Sequence, residues 1–156
     1  MPTPQHPYTG HGISRAGDEF QDLWGIQVLL EWLEHPERYE WVRFESDDMG
    51  ALDDVVARSR DGGLVCRQMK HTAEPGRDDL AVSWEWLLKQ PQKTESRRSS
   101  LLQKWAEAMG RELDGQPVVE AGLFTNRRPD QALRAALVES RIDFDRIADE
   151  TVKQEI

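Results

Sequence analysis

The sequence predicts an α/β fold, a mixed β-sheet flanked by helices. Three observations predict it. Three short extended stretches, "YEWVRFES", "LDDVVARS" and "LVCRQMKHT", follow one another closely enough to form a meander. Helical periodicity precedes them and returns after them. A largely apolar stretch, "VVEAGLFTN", then reads as a further strand reached by a helical crossover and central in its sheet.

Taken in order, "MPTPQHPYTGHG" holds three Pro and two Gly and reads as a flexible lead-in over residues 1–12. A helix is predicted from Asp18 to Glu34. Asp18 and Gln21 have the spacing of a capping box. Its apolar residues fall on two faces, one through Phe20 and Trp24 and one through Ile26 and Leu30, so the helix is expected to be covered on most sides. Pro36 ends it. "DDMGA" turns the chain between the first two strands and "RDGG" between the next two. "LAVSWEWLLKQ" predicts a short helix near 80–89, and "SSLLQKWAEAMGREL" an amphipathic one. "DGQP" is a turn before the last strand. "RPDQALRAALVES" predicts a helix with Pro129 near its start.

The chain has 156 residues, enough for one domain with a real core. Apolar residues make up 38% and charged residues 31%, which is polar, but six Trp speak against disorder. No apolar run approaches the roughly 20 residues of a membrane helix, and the start has no secretory pattern. One cysteine, Cys66, permits no internal disulfide. These features place the chain in a reducing cytoplasm, with Cys66 a small buried strand residue. The net charge of −9 works against nucleic-acid binding unless a local field or a divalent cation offsets it.

The chemistry-bearing stretch is the hairpin "LDDVVARSRDGGLVCRQMK". Residues two apart on a strand share a face, so Gln68 and Lys70 point together and Met69 points away. A three-residue loop of Asp61, Gly62 and Gly63 sets Asp54 opposite Lys70 and Val56 opposite Gln68, and it gathers Val55, Val65 and Met69 on the buried side. A two-residue loop would bring Asp53 opposite Lys70 instead. The choice between Asp53 and Asp54 therefore rests on turn length. An aspartate, a glutamine oxygen and a lysine in one cluster suit a hard divalent cation, Mg²⁺ or Mn²⁺, beside a phosphate. Equally, such a cluster is what a solvated polar hairpin face looks like.

These residues carry a resemblance. "LDDVV…CRQMKH" resembles the D…(D/E/Q)xK signature of the PD-(D/E)XK nuclease superfamily, in the variant with Gln at the second acidic position. "GDEFQDLWGIQVLLEWL", "FESDD" and "LFTNRRPD" resemble the double-stranded-DNA endonuclease domain of bacterial anti-phage effectors, as in CBASS effectors and STAND-type ATPase defence proteins. The resemblance spans residues 13–147 and implies a restriction-endonuclease-like core. It implies that Asp54 is the metal-binding acid, Gln68 the second ligand, the Met69 carbonyl a third, Lys70 the catalytic lysine and Glu45 an accessory acid. Asp53 is the alternative acid. Gln21 matches a leading-helix glutamine that lines the site, or else caps the helix. Arg127 and Arg128, with Arg97 and Arg98 in the polar loop, are either DNA contacts or solvated charges.

The expected activity is Mg²⁺- or Mn²⁺-dependent endonuclease cleavage of double-stranded DNA in prokaryotic defence. The resemblance also implies activation by homo-oligomerisation. Residues 148–156 would then form a helix or linker toward a sensor or ATPase domain, or simply a frayed end. The neutral Gln68 implies weak cation binding. The competing expectations are an inactive nuclease-fold module serving assembly or DNA binding, and a nuclease acting on RNA.

Overall fold

Five strands form one mixed sheet in the order β1-β2-β3-β5-β4. The computed structural model describes residues 10–90, 99–142 and 146. Strands β1 (Tyr39–Phe44), β2 (Val55–Ser59) and β3 (Leu64–Lys70) pair antiparallel in succession, as the meander predicted. β5 (Gln116–Thr125) returns parallel to β3 after the crossover through helices α2 (Trp84–Leu88) and α3 (Leu101–Met109). The two-residue β4 (Glu112–Leu113) pairs only with the first two residues of β5, so β5 is an inner strand only at its start. A short helix α4 (Gln131–Ala135) and a small hairpin, β6 (Leu137–Val138) with β7 (Arg141–Ile142), complete the described chain. No helix among the described residues is long and apolar enough to cross a membrane.

Strand alternation divides the core. Val56, Leu64 and Cys66 pack with Met49 and Val118 against Ala108 of α3. Val55, Ala57, Val65 and Met69 face the first helix, α1 (Gly10–Glu34), through Trp24, Val28 and Trp32. The gathering of Val55, Val65 and Met69 on one buried side is as predicted. A third cluster joins α2, α3 and α4 through Trp84, Leu87, Leu101 and Leu133.

The hairpin register differs from the expected one. Val55 faces Arg67 and Val56 faces Cys66, so Asp54 lies level with Gln68 and not with Lys70. The loop has the predicted three residues, but they are Arg60, Asp61 and Gly62. Ser59 N donates to Gly63 O at 3.0 Å and Gly62 N to Ser59 O at 3.1 Å, which closes the turn one residue early. Gly63 (φ +77°) serves instead as the closing residue, because an added Cβ would lie 2.3 Å from a Val119 methyl of β5. A slip of one turn residue moves the register by two, and a shift of two preserves every face.

Other local differences follow from packing. α1 begins by Gly10, so Asp18 and Gln21 lie inside the helix and form no cap. Leu23, Ile26, Leu29, Leu30 and Leu33 remain exposed, Leu33 at 77%, so only one face of α1 is covered. The helix predicted over "RPDQALRAALVES" is cut to Gln131–Ala135, capped by Asp130 Oδ1 on Leu133 N at 2.7 Å. Glu139 and Ser140, both at positive φ, then turn the chain into β7. The capping box expected at Asp18 and Gln21 is therefore absent, and one stands instead at Ser100 and Gln103, at the start of α3.

Candidate active site

The segment between β1 and β2 delivers the acids. Residues Asp47–Leu52 form 3-10 turns kinked at Gly50 (φ +63°). Met49 and Leu52 are fully buried beneath α3. Each such side chain contributes about 1.5–3 kcal/mol of apolar burial, and together they pin the segment to the core. Arg111 Nη1 donates to Asp48 O at 2.8 Å and braces it from outside. The chain then re-enters the sheet: Ser46 N donates to Asp53 O at 2.8 Å and Glu45 N to Asp54 O at 3.2 Å.

β2 begins only at Val55, level with Arg67, so the next β2-facing amide of β3, that of Met69, would lack a ladder partner. Asp54 fills the gap. Its Oδ2 accepts from Met69 N at 2.5 Å and from Gln68 Nε2 at 2.5 Å. Gln68 is 4% exposed, a buried amide held by a carboxylate. Lys70 follows on the same face, half-buried at the end of β3 and level with Thr125. Glu45, at φ +50°, closes β1 beside Asp54 and accepts from Gln21 Nε2 of α1 at 3.4 Å. The structure therefore brings Gln21, Glu45, Asp54, Gln68, Met69 and Lys70 to one end of the sheet. Asp53 is adjacent.

Charge behaviour matches this crowding. Burial is the main cause of a raised Asp53 pKa. Its own backbone hydrogen bond lowers it, Asp54 raises it, Lys70 lowers it and Asp47 raises it. The Lys70 ammonium thus acts on the same small volume as the two aspartates. Cys66, fully buried two residues before Gln68, has its thiol pushed up to about 11 by desolvation, which makes it inert at neutral pH.

The oxygen donors for a cation are the Asp54 carboxylate, the Gln68 amide oxygen and the Met69 carbonyl, with Glu45 nearby. Among the described residues no three His, Cys, Asp or Glu side chains form a metal-holding group. An all-oxygen donor set of this kind suits a hard cation such as Mg²⁺ or Mn²⁺ better than a soft one. His71 packs against Phe20 of α1, ring centroids 5.3 Å apart, and so is an edge residue.

Of the arginines, Arg128 is exposed and its carbonyl accepts from Val82 N at 2.8 Å. Arg127 is half-buried, its guanidinium 5.0 Å over the Trp86 ring. Arg97 and Arg98 lie outside the described residues.

Asn126 is a residue that sequence reading missed. Its side chain clamps the end of β3: Thr72 N donates to Asn126 Oδ1 at 2.9 Å, and Asn126 Nδ2 donates to Thr72 O at 2.7 Å. The clamp holds the two strand ends together just past Lys70. Its only sequence signal was a polar residue closing an apolar strand; its partner stands 54 positions away.

No family model, curated protein or solved structure matches the chain.

Proposed function

We propose that this chain is a metal-dependent endonuclease domain that hydrolyses DNA phosphodiester bonds as an effector of prokaryotic anti-phage defence, activated by oligomerisation. The observation that carries the reading is the Asp54–Gln68 contact at the end of the hairpin, with Lys70 next on the same face. Asp54, Gln68 and the Met69 carbonyl are the residues that would hold Mg²⁺ or Mn²⁺. A bound cation would supply Lewis-acid polarisation of the scissile phosphate. Lys70 stabilises the negative charge that builds on the phosphate oxygens as water adds to phosphorus and one P–O ester bond breaks. Asn126 and Thr72 keep the Lys70 strand end in place. Glu45, tied to Gln21, adds a second carboxylate at the mouth of the site. Arg128, exposed beyond β5, offers a phosphate contact outside it.

A second reading is an inactive module of the same fold that serves assembly or DNA binding. One observation favours it: Asp54 Oδ2 already accepts two internal hydrogen bonds, as a purely structural cap of the strand would. Plasmid incubated with the protein and Mg²⁺ or Mn²⁺, at high and clustered concentration, separates the two. Nicking that Lys70→Ala reduces by about 10²-fold or more supports the enzyme. No turnover under any of these conditions supports the module. A parallel RNA substrate tests whether DNA is the preferred polymer.

A further inference from the structure

A cavity of about 780 Å³ lies on the same face of the sheet as Gln68 and Lys70, one strand further on. That volume falls within the roughly 300–1,000 Å³ of small-molecule sites. Its floor is Ala121, Leu123 and Thr125 of β5, the register partners of Cys66, Gln68 and Lys70. α2 and α3 wall it with Leu87, Leu102 and Trp105, and the segment after β5 closes the far side with Leu133. Apart from Gln103, Thr125 and Ser140, the lining is apolar but for one charge, Arg127.

Arg127 is placed at a cost. Its Nε is buried and, among the described residues, has no hydrogen-bond partner. Burial lowers its pKa, which means that the surroundings disfavour the charge. Among the described residues, no carboxylate forms an ion pair with it. The stacking on Trp86 compensates in part. A half-buried cation with a desolvated Nε and, among the described residues, no counter-ion, at the edge of an apolar space, is complementary to an anion that brings an apolar body with it.

We propose that this cavity binds a small amphipathic anion, an aliphatic or ring body with one acidic head group, and that Arg127 is its anchor. None of the lining residues belongs to the Asp54–Gln68–Lys70 group, so the site stands apart from the proposed nuclease chemistry. Its floor is nevertheless only one strand spacing, roughly 4.8 Å, from Gln68 and Lys70.

Calorimetric titration of the full chain with four eight-carbon probes tests it: octanoate, octyl phosphate, 1-octanol and octylammonium. The expected result is 1:1 binding of octanoate or octyl phosphate at least about tenfold tighter than of the other two. The better of the two acids identifies the head group as carboxylate or phosphate. Arg127→Gln should weaken that binding by about tenfold or more. Ala106→Trp, at an exposed position on α3 that borders the cavity, should abolish it while the thermal melt stays that of the wild type. Should Arg127→Gln fail to fold, the head-group series and Ala106→Trp decide. Equal affinity for all four probes, binding untouched by a folded Arg127→Gln, or no binding at millimolar concentration would overturn the proposal. DNA cleavage is not the readout, so this result and that of the plasmid assay are independent.

Discussion

Asp54 Oδ2 lies 2.5 Å from Gln68 Nε2 and 2.5 Å from Met69 N, just before β2 begins and where β3 runs on beyond it. One carboxylate oxygen thus replaces the strand partner that β3 loses. The same placement sets an acid and a buried amide beside the end of β3 where Lys70 sits. A structural cap and a cation site would use the same atoms, so the informative variants are those that separate acceptor capacity from charge.

Asp54→Asn and Asp54→Ala do that. Asn retains an acceptor for Met69 N, so urea melts should show a loss within about 1 kcal/mol. Ala leaves both the amide N–H and the Gln68 side chain unpaired, and the loss should reach about 1–3 kcal/mol. Cleavage in Mg²⁺ should vanish in both. An Asp54→Asn protein that is folded and still cuts plasmid would remove Asp54 from the cation site.

Gln68→Glu places an acid at the position where the proposed nuclease signature more often carries one. Two carboxylates would then meet at hydrogen-bond distance, and without a cation they repel. In EDTA the melting temperature should fall by about 3–8 °C. Mn²⁺ should restore it, and should raise the variant more than the wild type. A variant indifferent to Mn²⁺ would argue that no cation sits between these two side chains.

Asp53 bears on the pH dependence of stability. Its folded pKa is raised above 3.8, chiefly by burial. The protonated form is the one the fold prefers. The stabilisation this gives is complete below pH 3.8 and is lost as pH rises through the folded pKa. Asp53→Asn, neutral throughout, should therefore be more stable than the wild type at pH 7 and no more stable than it at pH 3. Equilibrium unfolding at the two pH values checks this. A gain that is larger at pH 3 would contradict the sign.

Gly63 tests why the turn closes where it does. Gly63→Ala combines φ +77° with a Cβ 2.3 Å from Val119 Cγ1 and 3.1 Å from Pro117 O. The expected cost is about 2–3 kcal/mol. Gly115→Ala has φ +71° but nothing within 4 Å, and should cost only about 1 kcal/mol. Chemical denaturation of the two variants isolates the packing contribution against β5; equal losses would mean that backbone conformation alone decides.

Several elements were legible because their signals are local. Val55, Val65 and Met69 alternate with polar neighbours, and alternation assigns a face whatever the register, so the buried side of the hairpin was readable. The helix through Leu101, Trp105 and Met109 was readable from its spacing. The start of α1 was not, because Asp18 and Gln21 satisfy a capping pattern that the longer helix simply overrides. β4 and the β6–β7 hairpin escaped notice because two-residue strands have no period to detect.

The candidate site divides along the same line. Amino-acid order alone determined that Gln68 and Lys70 share a face and that an acid from "LDD" lies near them, since both follow from the two-residue repeat of extended chain and a short loop. Only the tertiary structure decided which aspartate and at what level. That depended on β5 crowding Gly63, on Met49 and Leu52 anchoring the preceding turn, and on an unpaired amide of β3 that drew Asp54 into the sheet. These are contacts between segments far apart in the chain, and no local pattern of residues encodes them.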